Sequence, residues 1–124
     1  MSPLSVLKIS VDTATGDDSL VLASLESELH RPADIVVGCG GRTFIAILPD
    51  TAEKGALLIA ERMRARVESL GTHDAPVSVT IGVASAVPES SEPAEAFLAA
   101  ADGALSIARA AGGNCVATTG AGLR

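Results

Sequence analysis

Few side chains in this sequence have types and spacing that suit chemistry, and arginines stand first among them. Arg62, Arg64 and Arg66 occupy alternate positions, which spreads them around one helix. Two or three guanidinium groups can hold one anionic ligand even in an acidic chain, because local geometry decides such a contact and net charge does not. Cys39 and Cys115 each lie among Val and Gly in strand-like runs and are expected to be small reduced core residues. Zinc would need more ligands, and His30 and His73 stand at no cysteine–histidine spacing.

The 124 residues carry a net charge of −6, with Phe44 and Phe97 as the aromatic residues. A core must therefore come from Ala, Val, Leu and Ile. The length suits one domain, expected over residues 1–118, with 119–124 as a flexible Gly-rich tail. The acidic balance disfavours nucleic acid and anionic membrane as partners. No apolar run reaches the ~20 residues of a membrane span, and no signal-peptide pattern opens the chain. A soluble, cytoplasmic domain is expected.

These side chains need elements to position them. Leu4 to Val11 alternates as a strand, and Asp12 to Gly16 reads as a turn. Asp17, Asp18 and Ser19 suit a helix N-terminus. Leu20, Leu22, Leu25 and Leu29 mark the buried stripe of a helix ending near His30, before Pro32. Asp34–Cys39 and Thr43–Leu48 read as strands joined by Gly40-Gly41, a hairpin signal. Pro49, Asp50 and Thr51 close that hairpin and cap a helix over 52–69, with Ala56, Ile59, Ala60, Met63 and Val67 at helical spacing. Val77–Ala84 forms a strand, 88–93 a polar loop and 94–111 a helix ended by Gly112-Gly113. Cys115–Thr118 is a final strand. The order β-α-β-β-α-β-α-β predicts an α+β fold, one mostly antiparallel sheet with helices packed on it.

From Asp34 onward the sequence resembles the GGDEF domain, the diguanylate cyclase family that joins two GTP molecules into cyclic di-GMP. The resemblance is carried by Gly40, Gly41 and Phe44, by the strand and turn Phe44–Thr51 and by Ala60–Arg64. Val79–Ala84, Ala101–Leu105 and Gly112–Asn114 continue it in family order. It implies a nucleotide-cyclase-like fold, related to the ferredoxin-like one, with a shortened first helical segment.

The signature reads Gly40-Gly41-Arg42-Thr43-Phe44. In the family, two acidic residues stand where Arg42 and Thr43 are, and the first of them binds Mg²⁺ bridging to GTP. An arginine there repels the cation, so the resemblance implies that Mg²⁺ binding is lost, with no cofactor. The stretch from Asp12, the candidate first-strand metal Asp, to Gly16-Asp17 is shorter than the family's. It lacks the Asn that reads guanine. Arg109 keeps a family positive charge, while Gly113 replaces a phosphate-facing arginine. No catalytic residue and no metal site are therefore expected, and the chain is expected not to be an enzyme.

The family also carries a product-binding inhibitory site, an Arg-x-x-Asp sequence at fixed spacing before the two glycines. Arg31-Pro32-Ala33-Asp34 stands at that spacing, and counting from Phe44 places the site's second arginine at Arg62. A guanidinium fork suits a phosphate or the Hoogsteen edge of guanine, and an Asp accepts from the guanine amine and imino groups. The expectation is an inactive domain that binds cyclic di-GMP through Arg31, Asp34 and Arg62. The alternative is a ligand-free scaffold that pairs with a protein partner or with itself through an exposed sheet edge.

Overall fold

The computed structural model describes residues 2–12, 18–87 and 94–118. The expected turn after Asp12 with Asp17, the loop at 88–93 and the tail at 119–124 lie outside them. Eight elements follow the expected order: β1 (Leu4–Val11), α1 (Asp18–Glu26), β2 (Ile35–Gly40), β3 (Thr43–Pro49), α2 (Glu53–Glu68), β4 (Val79–Ala86), α3 (Ala94–Ala110) and β5 (Val116–Thr118). They form one five-stranded sheet in the order β2-β3-β1-β4-β5. Every pairing is antiparallel except β4 with β5. Central β1 is thus held from both sides, with Ile9 opposite Phe44 on β3 and Ile81 on β4.

Period-two alternation sends each strand's side chains to two faces. Leu7, Ile9 and Val11 of β1, Val36 of β2, Phe44, Ala46 and Leu48 of β3, and Val79, Ile81 and Val83 of β4 share one face. Helices α1 and α2 cover it with Val21 and Leu25, and with Ala56, Ala60, Met63 and Val67. Burying Leu, Ile, Val or Met side chains stabilises by about 1.5–3 kcal/mol each, so this layer dominates the core. On the opposite face α3 packs over β1, β4 and β5, with Phe97 and Ala101 against Val6 and Ala84. The approach is close at Gly82, where an added Cβ would lie 2.2 Å from the Leu105 amide nitrogen. Only glycine admits α3 there.

Several local expectations are corrected. Helix α1 ends at Glu26, not near His30, and its core residues are Val21 and Leu25. Leu20, expected in the buried stripe, is 57% exposed. Thr51 does not cap α2: Ala52 takes the N-cap position without a side-chain bond, and the Thr51 hydroxyl donates to the Pro49 carbonyl instead. Cys39 is exposed, because β2 is an edge strand and its pairing with β3 shifts between Gly38 and Gly40. Cys115 is half-buried, and its thiol donates to the Ala108 carbonyl at 3.3 Å. Gly112 and Gly113 do end α3 with positive φ, and Asn114 follows them into that region.

Candidate functional site

The signature turn closes the β2–β3 hairpin. Gly40 still pairs with Thr43, so the two turn residues are Gly41 and Arg42, not Gly40 and Gly41. Both have φ near +60°, as a two-residue turn that matches strand twist requires. Arg42 therefore occupies a conformation that costs an L-residue about 1–2 kcal/mol. Its carbonyl accepts from the Val11 amide at 3.0 Å, and its guanidinium meets Asp18 of α1 at 3.5 Å. Thr43 donates its hydroxyl to the Gly40 carbonyl at 2.6 Å. Phe44 points inward, buried in the core beside Gly38.

Asp12 follows Val11 out of β1. Its carboxylate accepts from the Ser78 hydroxyl at 2.7 Å, the Thr80 hydroxyl at 2.5 Å and the Asn114 amide at 3.1 Å. One side chain thus ties the end of β1 to the start of β4 and to the α3–β5 turn. Gly113 lies against the same group, where a Cβ would come within 3.2 Å of the Thr80 hydroxyl. The Asn114 side chain reaches round to α2. It accepts from Arg64 at 3.0 Å and donates to Glu68 at 2.6 Å. Arg64 also holds Glu61 and Glu68; the hydrogen bond to Glu61, ahead of its other contacts, pushes the Arg64 pKa up. Arg109 donates to the Ser10 hydroxyl at 2.8 Å.

Arg31 and Asp34 are brought together. Arg31 grips both Asp34 oxygens, Nη2 to Oδ1 at 3.1 Å and Nε to Oδ2 at 3.3 Å. It also donates to the Asp50 carbonyl at 3.3 Å, the Pro49 carbonyl and the Thr51 hydroxyl. The pair therefore pins the approach to β2 onto the β3–α2 corner. The Asp34 side chain is only 3% exposed, far from the solvated helix-end pair that two such residues usually form. The hydrogen bond to Asp34 is the largest cause holding the Arg31 pKa above its ordinary value.

Arg62 stands apart from that pair. It lines a groove of about 570 Å³ with Glu28, Ala65, Arg66 and Ser69. Arg62 has no hydrogen-bond or ion-pair partner among the described residues, whereas Arg66 donates from Nε to Glu28 at 2.6 Å. A second cavity is lined by Glu26, Leu29, Asp34 and Ile35, and Glu28 of the first groove lies between Glu26 and Leu29 in sequence. Asp34 thus lines one cavity and Arg62 another, and no hydrogen bond or ion pair joins Arg62 to Arg31 or Asp34.

Sequence spacing pointed to none of Ser78, Thr80 or Glu28, and to Arg66 only as one of three arginines on a helix, not as the partner of Glu28. Their partners lie 38 to 68 residues away along the chain, and small hydroxyl residues in a strand carry no local signal. Among the described residues no three of His, Cys, Asp and Glu come together as metal ligands. Nor does the donor set at the turn fit a divalent cation. The two positions after the glycines offer a guanidinium and a hydroxyl, and Asp12 spends three of its roughly four acceptor sites on Ser78, Thr80 and Asn114.

The family model described as diguanylate cyclase, GGDEF domain, matches residues 13–115. The response regulator PleD of Caulobacter vibrioides is 38% identical over 92 residues, covering 69% of this chain and 20% of PleD. The chain thus spans about a fifth of that relative's length. Among solved structures, the active GGEEF domain of a diguanylate cyclase from Vibrio cholerae superposes with a TM-score of 0.81 at 22% identity, covering 94% of this chain and 82% of that one. The GGDEF domain of DgcB from Caulobacter crescentus, in complex with c-di-GMP, gives 0.77 at 21% identity, covering 94% and 77%. At these identities the structures establish a shared fold.

Proposed function

The chain belongs to the diguanylate cyclase GGDEF-domain family, and from that membership we propose that it is a catalytically silent member serving as a receptor for cyclic di-GMP. The observation that carries this reading is the Arg31–Asp34 pair, a bidentate fork fixed in place, together with a groove lined by Arg62, which has no partner among the described residues. The clamped guanidinium keeps one Nη1 N–H uncommitted in a fixed position, so little side-chain entropy remains to be lost when a ligand binds. A carboxylate accepts at about four lone-pair sites, so Asp34 keeps capacity for guanine N–H groups while it holds Arg31. Arg62 supplies a free charge for a phosphate. A relative of the same fold binds c-di-GMP, which supports the ligand class.

Silence is supported separately. Arg42 and Thr43 occupy the turn positions where metal-assisted phosphoryl transfer needs carboxylates. Asp12 accepts from Ser78, Thr80 and Asn114 and so serves as a structural tie. Parallel titrations with cyclic di-GMP and GTP, together with incubation in GTP and Mg²⁺, test both halves. Saturable binding of the dinucleotide without product formation is expected. Conversion of GTP to dinucleotide would overturn silence, and absence of cyclic di-GMP binding would overturn the receptor.

A ligand-free interaction module is the second reading, favoured by Ile35 and Val37. They are 47% and 49% exposed on edge strand β2, on the sheet face where α3 covers β1 and β4. Light scattering would show self-association in that case, and binding of neither nucleotide would accompany it.

A further inference from the structure

The groove along α2 holds more than the arginine that spacing singles out. Arg62 and Arg66 are four residues apart on α2 and line the same groove, as (i, i+4) neighbours do on one helix face. Arg66 differs from Arg62 in having a resident anion. Its Nε donates to Glu28 at 2.6 Å, while the Arg66 side chain is 50% exposed and that of Glu28 is 9% exposed. A guanidinium has five N–H donors, so the contact through Nε leaves the two terminal nitrogens of this groove-lining residue uncommitted among the described residues. Glu28 thus holds Arg66 by its inner edge. Arg64, lying between them in sequence, is turned away to Glu61, Glu68 and Asn114.

We infer that Arg66 is a second phosphate-binding residue of this domain, positioned by Glu28, and that with Arg62 it takes a phosphodiester of the bound dinucleotide. The inference rests on the receptor reading above and extends that site to the α2 groove. Glu28 lines the groove, and its sequence neighbours Glu26 and Leu29 line the cavity that also takes Asp34. A cyclic dinucleotide has two phosphodiesters and two bases, so a ligand read at Asp34 presents a phosphate towards the neighbouring groove. The negative end of the α2 dipole lies at the groove, near Ser69, and opposes an anion there. Bidentate, charge-assisted bonds from two guanidinium groups outweigh that end effect, which is weak on an exposed surface. Glu28 also adds a negative charge beside the phosphate, so its neutralisation tightens binding.

Calorimetric titration of the full chain with cyclic di-GMP, for the wild type and for Arg66→Ala, Arg66→Lys and Glu28→Gln, tests this. Thermal unfolding of each variant checks the fold. Arg66→Ala is expected to weaken binding roughly tenfold to a hundredfold, the loss of one charge-assisted contact. Arg66→Lys keeps the charge without the fork and falls between. Glu28→Gln, which keeps an acceptor for Arg66 Nε, binds more tightly than the wild type. Wild-type affinity in a folded Arg66→Ala protein would overturn this inference and leave the receptor reading standing. Weaker binding by Glu28→Gln would overturn the role given to Glu28. A wild type that binds no cyclic di-GMP would overturn the receptor reading and this inference with it.

Discussion

Thr80 donates its hydroxyl to the Asp12 carboxylate at 2.5 Å, from β4 to the residue that follows β1. Thr80 is fully buried, and the Asn114 amide approaches both residues. A carboxylate at the end of β1 has become the knot that ties β1, β4 and the α3–β5 turn.

Asp12→Ala should therefore destabilise the domain. It strips an acceptor from Ser78, Thr80 and the Asn114 amide, and of these donors Thr80 is buried, where losing a partner costs about 1–3 kcal/mol. For a domain of this size that lowers Tm by several degrees, about 4–8 °C per kcal/mol for 60–100 residues and somewhat less above that. Thermal unfolding followed by circular dichroism measures it. An unchanged Tm would show that Asp12 carries no structural load.

Restoring the acidic pair should not restore chemistry. Arg42→Glu combined with Thr43→Glu returns two carboxylates to the turn, while Asp12 stays held by three donors. Incubation with GTP and Mg²⁺, followed by chromatography, is expected to yield no dinucleotide. Product from the double variant would mean that the turn alone separates this chain from an active cyclase.

Acid should weaken the fold through α2. The Arg64 hydrogen bond is the largest cause lowering the Glu61 pKa, and the Asn114 hydrogen bond the largest lowering that of Glu68, both from an ordinary 4.5. Groups with depressed folded values contribute stability that is present above their unfolded value and lost as pH falls through the folded one. Urea midpoints should hold from about pH 7 to about pH 5 and decline below the ordinary carboxylate value. The decline is modest, because both groups are exposed. Glu68→Gln should flatten part of it; an identical pH profile in that variant would contradict the assignment.

The fold was largely legible in the sequence. Alternation in Leu4–Val11 and Thr43–Pro49 and the stripe Ala56, Ala60, Met63 and Val67 gave strands, helix and order because each signal is local. The hairpin was legible too, but its turn was placed one residue early. Gly40 is a glycine with positive φ that still pairs with Thr43, and composition cannot separate a paired glycine from a turning one. Leu20 and Cys39 were misplaced because residue type does not report whether a neighbouring element covers a position. Arg31 and Asp34 were found as a pair, yet their anchorage to Pro49, Asp50 and Thr51 depends on a tertiary corner. Arg66 stood out only as one of three arginines spread around a helix; its pairing with Glu28, 38 residues away, had no sequence signal.

The most direct measurement is calorimetry with cyclic di-GMP on the wild type and on Arg31→Ala. Saturable heat from the wild type and binding weakened roughly tenfold or more in the variant are expected, the cost of one charge-assisted recognition group. No heat at high micromolar ligand, or equal affinity in Arg31→Ala, would contradict the assignment of this domain as a cyclic di-GMP receptor.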